Sequence, residues 1–430
     1  MNVFVFRNKI DLSFIKVNPG EWVVLKPNFV KENLENNVNE WECVITSPVI
    51  IKTVCEYVCE QLQGKGKVTI CDAPQTDSSF SKIAERLNLY QIAEDCKNKY
   101  NVTVEVVDLR NEEWENVGGV ITARKKLKGD PQGAVLFNLG KDSLFYKHKG
   151  EGKYYGADYD TGFINDHHKG LTQEYLVSAT PILADVFINL PKMKTHKKTG
   201  VTLSLKNLVG ILADKNYLPH HTVGSPNDGG DQFPDMTLFR KLENISSSAV
   251  RKIALNIPYI GPKLAIKMRR SGTKIFGSGD KVIRSGNWYM NDTTWRMALD
   301  LNRCLLYGNP DGTLRKTNSK RYYTIIDGIR GMEGNGPMQG SSIESNIVIA
   351  GTDPVATDIV ASKYMGFDWN KIPIIREALK LKSYPISNVT PDDIEIESDL
   401  KEWNLKFSEF NKKDFMHFKP HFGWIGQIEH

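Results

Sequence analysis

The feature that most constrains this chain is a rhythm: short apolar runs that close on a polar or proline-bearing corner alternate with stretches of helical periodicity. Trp22 to Leu25 ends at Lys26-Pro27-Asn28, Val68 to Cys71 at Asp72-Ala73-Pro74, and Val186 to Leu190 at Pro191-Lys192. Unbroken apolar runs of this kind suit inner strands of a sheet covered on both faces. Pro48 to Leu62 reads as a helix with proline at its start, Ser79 to Cys96 as another, Val102 to Val107 as a strand and Ala134 to Asn138 as a further strand. A polar stretch with Asp158, Asp166, His167 and His168 follows. The expected class is α/β, a mostly parallel sheet layered with helices.

That rhythm divides the chain. Residues 1–211 form a first α/β part, 212–291 a loop-rich basic insertion, 292–395 a second α/β part and 396–430 a C-terminal tail. In the second part, Asp292 to Arg303 is helical, and Tyr322 to Ile326 is a strand that runs into the glycine-rich segment DGIRGMEGNGP, expected as a loop. Asn346 to Ala350 is the next strand, and Asp353 caps a helix that opens at Pro354.

Open α/β sheets bind ligands beyond the carboxyl ends of their strands, which directs attention to Lys192 onward. If Lys192 to His196 is extended, Lys192, Lys194 and His196 share one side of the strand. Thr199 then reads as the N-cap of a helix ending at Gly210, whose free N–H groups would join the lysines in holding an anion. Thr202 and Lys206, four apart, would lie on one face of that helix. The chemistry implied is a phosphate or carboxylate ligand, with His196 as proton carrier because an unperturbed imidazole titrates near pH ~6.5.

Within the insertion, residues 217 to 235 read as a long loop in which His220 and His221 are weaker metal candidates with Asp228, Asp231 or Asp235. Residues 250 to 284 carry nine cations against the single acid Asp280, interleaved with Ile253, Leu255, Ile257, Ile260, Leu264, Ile266 and Met268. Such a segment suits peripheral contact with a membrane surface or an acidic partner, although Pro258 and Pro262 argue against one continuous helix.

Composition removes several classes. A net charge of +5 over 430 residues, with no nucleic-acid motif, gives no reason to expect DNA or RNA as partner. The first residues lack a secretory leader pattern and no apolar segment reaches the ~20 residues of a membrane span, so the expected location is cytoplasmic, with a peripheral site at the inner membrane face as the variant. Six cysteines are scattered without CxxC spacing; Cys55 and Cys59, four apart, read as packed core thiols with no third ligand nearby. The sequence does not fix an oligomeric state.

KPN at Lys26 to Asn28, LPKMKTH at Leu190 to His196, SLKNLVG at Ser204 to Gly210, DGIRGMEGNGP at Asp327 to Pro337 and GTDPVATD at Gly351 to Asp358 resemble motifs of the domain of unknown function family DUF 362. The resemblance covers roughly residues 20 to 370, and the family has no general assigned reaction. Some members carry ferredoxin-like cysteine runs, and this chain lacks them, which argues against an iron–sulfur cluster. The resemblance nominates Lys26, Asn28, Asp72, Lys192, Lys194, His196, Lys206, Asn207, Asp327, Glu333, Asp353 and Asp358 as site candidates. The expected function is an enzyme acting on an anionic small molecule, the alternatives being an enzyme on a lipid-linked or phospho-sugar substrate and a non-catalytic anionic-cofactor or redox accessory protein. In that reading Lys26, Asn28, Asp72, Lys192 and Asn207 bind the substrate, while Lys194, His196, Lys206, Asp327 and Glu333 serve the chemistry. Asp327 and Asp358 are the candidate ligands of a divalent metal.

Overall fold

Alternate residues of the inner strands face two different cores. Val23 and Leu25 pack into one and Val24 into the other; Ile188 lies in the first, Phe187 in the second. A sheet buried on both faces therefore needs no polar alternation, which is why these segments read as continuous apolar runs. The computed structural model describes residues 1–35, 37–156, 161–256, 261–277 and 281–430. Asp158, Ile257, Pro258, Ile260 and Asp280 lie outside the described residues.

The principal sheet has eleven strands. Its main path runs Leu405–Lys406, Glu395–Ser398, Asn2–Phe6, Gln339–Gly351, Arg321–Asn335, Val186–Leu190, Trp22–Pro27, Lys67–Asp72, Thr103–Asp108. The half from Arg321–Asn335 to Thr103–Asp108 is parallel. Gln339–Gly351 is antiparallel to both its neighbours, so the sheet is mostly parallel with antiparallel pairs at one side. Strands from both α/β parts and from beyond residue 395 share this sheet. Pro48–Leu62, capped by Ser47, packs on one face; Thr294–Tyr307 and Pro354–Tyr364, capped by Asp353, pack on the other.

Three expectations require correction. Ser79 to Cys96 is two helices, Phe80–Arg86 and Leu89–Tyr100, because Asn88 takes a left-handed φ of 52° between them. Ala134–Asn138 belongs to a separate three-stranded sheet. DGIRGMEGNGP is no loop: the strand continues to Asn335 and pairs with Gln339–Gly351 along a long hairpin. Gly328 and Gly336 are there for close approach, since a Cβ would sit 2.7 Å from Ile347 Cγ2 at the first and 2.1 Å from the Thr195 carbonyl at the second, whereas Gly334 supplies a φ of 74°. Within the insertion, Leu238–Asn256 and Gly261–Phe276 are two separate helices. No helix among the described residues is long and apolar enough to cross a membrane.

Candidate functional site

Lys192–His196 forms a strand, as the period-two reading requires, but it is not followed by the expected helix. The chain turns back at Lys197 to Thr199, Thr195 pairs with Val201 and His196 with Gly200, and the Thr202 N–H donates to the Lys194 carbonyl at 2.8 Å. Gly200 makes the turn possible: its φ is 79°, and the indole of Trp424 lies 3.0 Å from where a Cβ would stand. Helix begins only at Ser204 and lasts to Asn207, after which Leu208–Ile211 is a 3-10 turn. Leu203, between Thr202 and that helix, holds φ 25°, a strained value for a side-chain-bearing residue.

The free N-terminus expected to receive a ligand is already occupied. Asp358 accepts the N–H groups of Ser204 at 2.8 Å and Leu205 at 3.0 Å. Burial raises its carboxyl to about 7 against the pull of these two bonds. Asp358 thus anchors the short helix that carries Lys206 and Asn207.

Lys192 is separated from its strand mates by a slip in pairing: Lys192 lies opposite Asp327, whereas Lys194 lies opposite Met332. The Lys192 ammonium bonds Asp327 at 2.9 Å, both fully buried. Asp327 also accepts the N–H groups of Ser47 at 2.7 Å and Ile329 at 3.1 Å, so its oxygens are spent on structure. Glu333, near the tip of the long hairpin, accepts the Lys419 N–H at 3.0 Å. Lys192, Asp327, Glu333, Asp353 and Asp358 are absent from the cavity wall described next.

Lys194, His196 and Lys206 do converge, on a cavity of about 460 Å³ with Lys26, Asn28, Asp72 and Asn207 in its wall. Lys26 and Asp72 lie at the ends of two adjacent parallel strands, Lys194 and His196 on the strand that continues beyond Val186–Leu190 and pairs with Arg321–Asn335, and Lys206 and Asn207 on the short helix, which is the crevice position open α/β sheets favour. Lys26 bonds Asp72 at 2.7 Å and the Pro27 carbonyl at 2.8 Å. The Asn28 amide donates to Asn207 Oδ1 at 2.8 Å. Gly210 lies against this pair without a side chain, since a Cβ would come within 2.0 Å of Asp72 Oδ1 and 2.5 Å of Lys26 Nζ. It was expected as a helix stop; its role is clearance.

Sequence reasoning missed part of the wall: Lys198, Lys215, Arg269, Trp114 and Tyr155 also line it, together with His220 and His221. Lys198 was within reach of sequence, since it follows the strand-end motif in the same basic run. Lys215 and Arg269 carried no signal, because only the fold brings them to the strand ends. Asp231, one of the carboxylates weighed beside the weaker metal candidates His220 and His221, accepts the Thr222 N–H at 2.8 Å and the Thr293 hydroxyl at 2.6 Å.

Basic groups outnumber acids in the cavity wall, where Glu35, Asp72 and Asp77 are the carboxylates among the described residues. Burial pulls Lys194, Lys198 and Lys215 down to about 7, and Lys206 to about 8. Lys194 donates to the Val44 carbonyl at 2.6 Å, Lys198 to His220 at 2.9 Å and Lys215 to Val209 at 2.7 Å, all uncharged acceptors. Lys206 has no partner among the described residues, yet its charge acts on Lys194, His196, Lys198, Lys215 and His220 alike. His196 is held well below the ordinary imidazole value by burial and by Lys206. Its Nδ1 accepts the Lys198 N–H at 3.1 Å, which places the neutral ring's proton on Nε2. Two further polar atoms of the wall, Asn28 Oδ1 and Thr202 Oγ1, are buried without a hydrogen bond.

Elsewhere, Cys96 completes a group with Cys55 and Cys59 in which the three sulfurs lie within 4.8 Å of one another. It is the third neighbour the sequence did not reveal, and all three are buried in the core. It is the one group of three metal-ligating side chains so arranged among the described residues.

A model of the family described as a domain of unknown function (DUF362) matches residues 23–129 and 130–363, and the chain belongs to that family. No curated protein and no solved structure matches it.

Proposed function

We propose that the cavity binds an anionic small molecule, phosphorylated or carboxylated, and that the protein is an enzyme acting on it. The observation that carries this reading is Lys206, a half-buried cation without a partner among the described residues, whose charge acts on Lys194, Lys198 and Lys215, themselves bonded to neutral acceptors. Of the carboxylates that line the wall, Asp72 is tied to Lys26, while Glu35 and Asp77 stand beside it in the lining. Clustered ammonium groups in a desolvated wall repel one another, and a bound anion relieves that repulsion. Trp114, Tyr155 and Met338 give the uncharged part of the ligand an apolar seat.

In this reading His196 offers Nε2–H to the ligand. With Nδ1 held by the Lys198 N–H, His196 meets the anion as a hydrogen-bond donor through Nε2–H. Asp327 and Asp358 act as positioning residues, holding the strand and helix that present the lysines, rather than as ligands of a divalent metal. The test is thermal denaturation with inorganic phosphate, pyrophosphate and citrate against chloride at equal ionic strength. A ligand at a hundredfold excess over its Kd adds ~2.7 kcal/mol of stability, so a clear rise in Tm is expected with at least one of these anions. Lys206→Met is expected to abolish the rise. An equal rise in Lys206→Met, or none with any of the three, would contradict the reading.

A further inference from the structure

Helices Leu238–Asn256 and Gly261–Phe276 carry a surface that the cavity does not use. On the first, Leu238, Leu242 and Ile245 recur at helical spacing and are 80%, 59% and 66% exposed. On the second, Lys263, Lys267, Arg270 and Lys274 form an exposed row at three- and four-residue spacing. Leu264 and Ile275 flank that row, and Ile275 is 66% exposed. Large aliphatic side chains this open to water, arranged in a stripe, are costly unless something covers them. Glu243, the acid these helices carry, is buried against Arg240 and Arg284, and no ion pair among the described residues engages Lys263, Lys267, Arg270 or Lys274.

The two helices are joined by packing of Phe239 on Phe276, with ring centroids 5.0 Å apart. The second is also fixed to the body of the protein. Ile266 approaches Gly118, and the Arg269 guanidinium bonds the Gly119 carbonyl. Arg269 lines the cavity while its neighbours Lys267 and Arg270 face solvent, so the basic face lies beside the cavity mouth.

We propose that this helical pair docks the protein on an anionic membrane surface, with the aliphatic stripe entering the headgroup region and the cationic row meeting acidic lipids. Aliphatic residues beside unpaired lysines and arginines are the chemistry of an interfacial helix. A second copy of the chain seated face to face would set the cationic row against its like, which disfavours self-association there. The inference does not depend on what fills the cavity.

The experiment is flotation of the full-length protein with vesicles of phosphatidylcholine alone and with a quarter phosphatidylglycerol. The protein is expected to float with the mixed vesicles only, and to be released by added salt. Lys267→Ser with Arg270→Ser and Lys274→Ser is expected to weaken binding on the order of a hundredfold, about fivefold per cation. Leu242→Ser with Ile245→Ser should weaken it by about tenfold or more. All five positions are exposed, and circular dichroism checks that the variants remain folded. Absence of flotation, binding unchanged in both variants, or a dimer abolished by the same substitutions without flotation would each overturn the proposal.

Discussion

The lysines of the cavity set the protein's behaviour with pH. A buried lysine held near 7 has released its proton in the folded chain between that value and about 10.5, while the unfolded chain still carries it. The destabilisation is therefore complete below about pH 7 and is relieved as pH rises. Urea denaturation of the ligand-free protein is expected to show stability increasing between about pH 7 and 9. A bound anion favours the protonated lysines, so saturating phosphate is expected to flatten that increase and to bind more weakly at the higher pH. An increase of the same slope with and without phosphate would mean that these ammonium groups do not meet the ligand.

At the scale of elements, the short helix Ser204–Asn207 is held by contacts distant in sequence. Asp358 caps it, Asn207 bonds Asn28 and the Asn189 side chain, and Gly210 leaves room for the Lys26–Asp72 pair. Gly210→Ala should force that pair apart and lower stability by ~1–3 kcal/mol, the usual cost of overpacking, measured by the urea midpoint. No loss would mean that the pair can move aside freely. Here the limits of sequence are visible in particular residues. Strands such as Trp22–Pro27 and Val186–Leu190 were legible because a two-sided core demands unbroken apolar runs. Thr199–Gly210 was misread because capping and apolar spacing are local, whereas the turn at Gly200 answers to Trp424 and the helix start to Asp358. The strand through DGIRGMEGNGP was hidden because glycine signals a loop unless one knows which neighbours press on it.

At the scale of the whole molecule, the site is assembled from both ends of the chain. Trp424 packs on Gly200 and donates to the Lys197 carbonyl at 2.8 Å, so the C-terminal segment braces the basic turn from outside. Asp358, from the second α/β part, fixes the helix that carries Lys206, while Lys26 and Asp72 come from the first. Sequence motifs identified Lys26, Asn28, Asp72, Lys194, His196, Lys206 and Asn207, which the fold gathers in one wall. The same motifs also named Lys192, Asp327, Glu333, Asp353 and Asp358, which lie outside that wall. A motif records which residues matter to a fold and its site together, and only geometry separates the two. The helical pair of the insertion adds Arg269 to the wall, linking the cavity to the basic outer face. An anion site in this wall, with Lys206 as its unpaired cation among the described residues, is tested by the crystal structure of the protein with tungstate, a heavy tetrahedral oxyanion. One strong peak is expected inside the cavity within hydrogen-bonding distance of Lys206 Nζ, absent from Lys206→Met crystals. Tungstate confined to surface lysines, with none in the cavity, would contradict it.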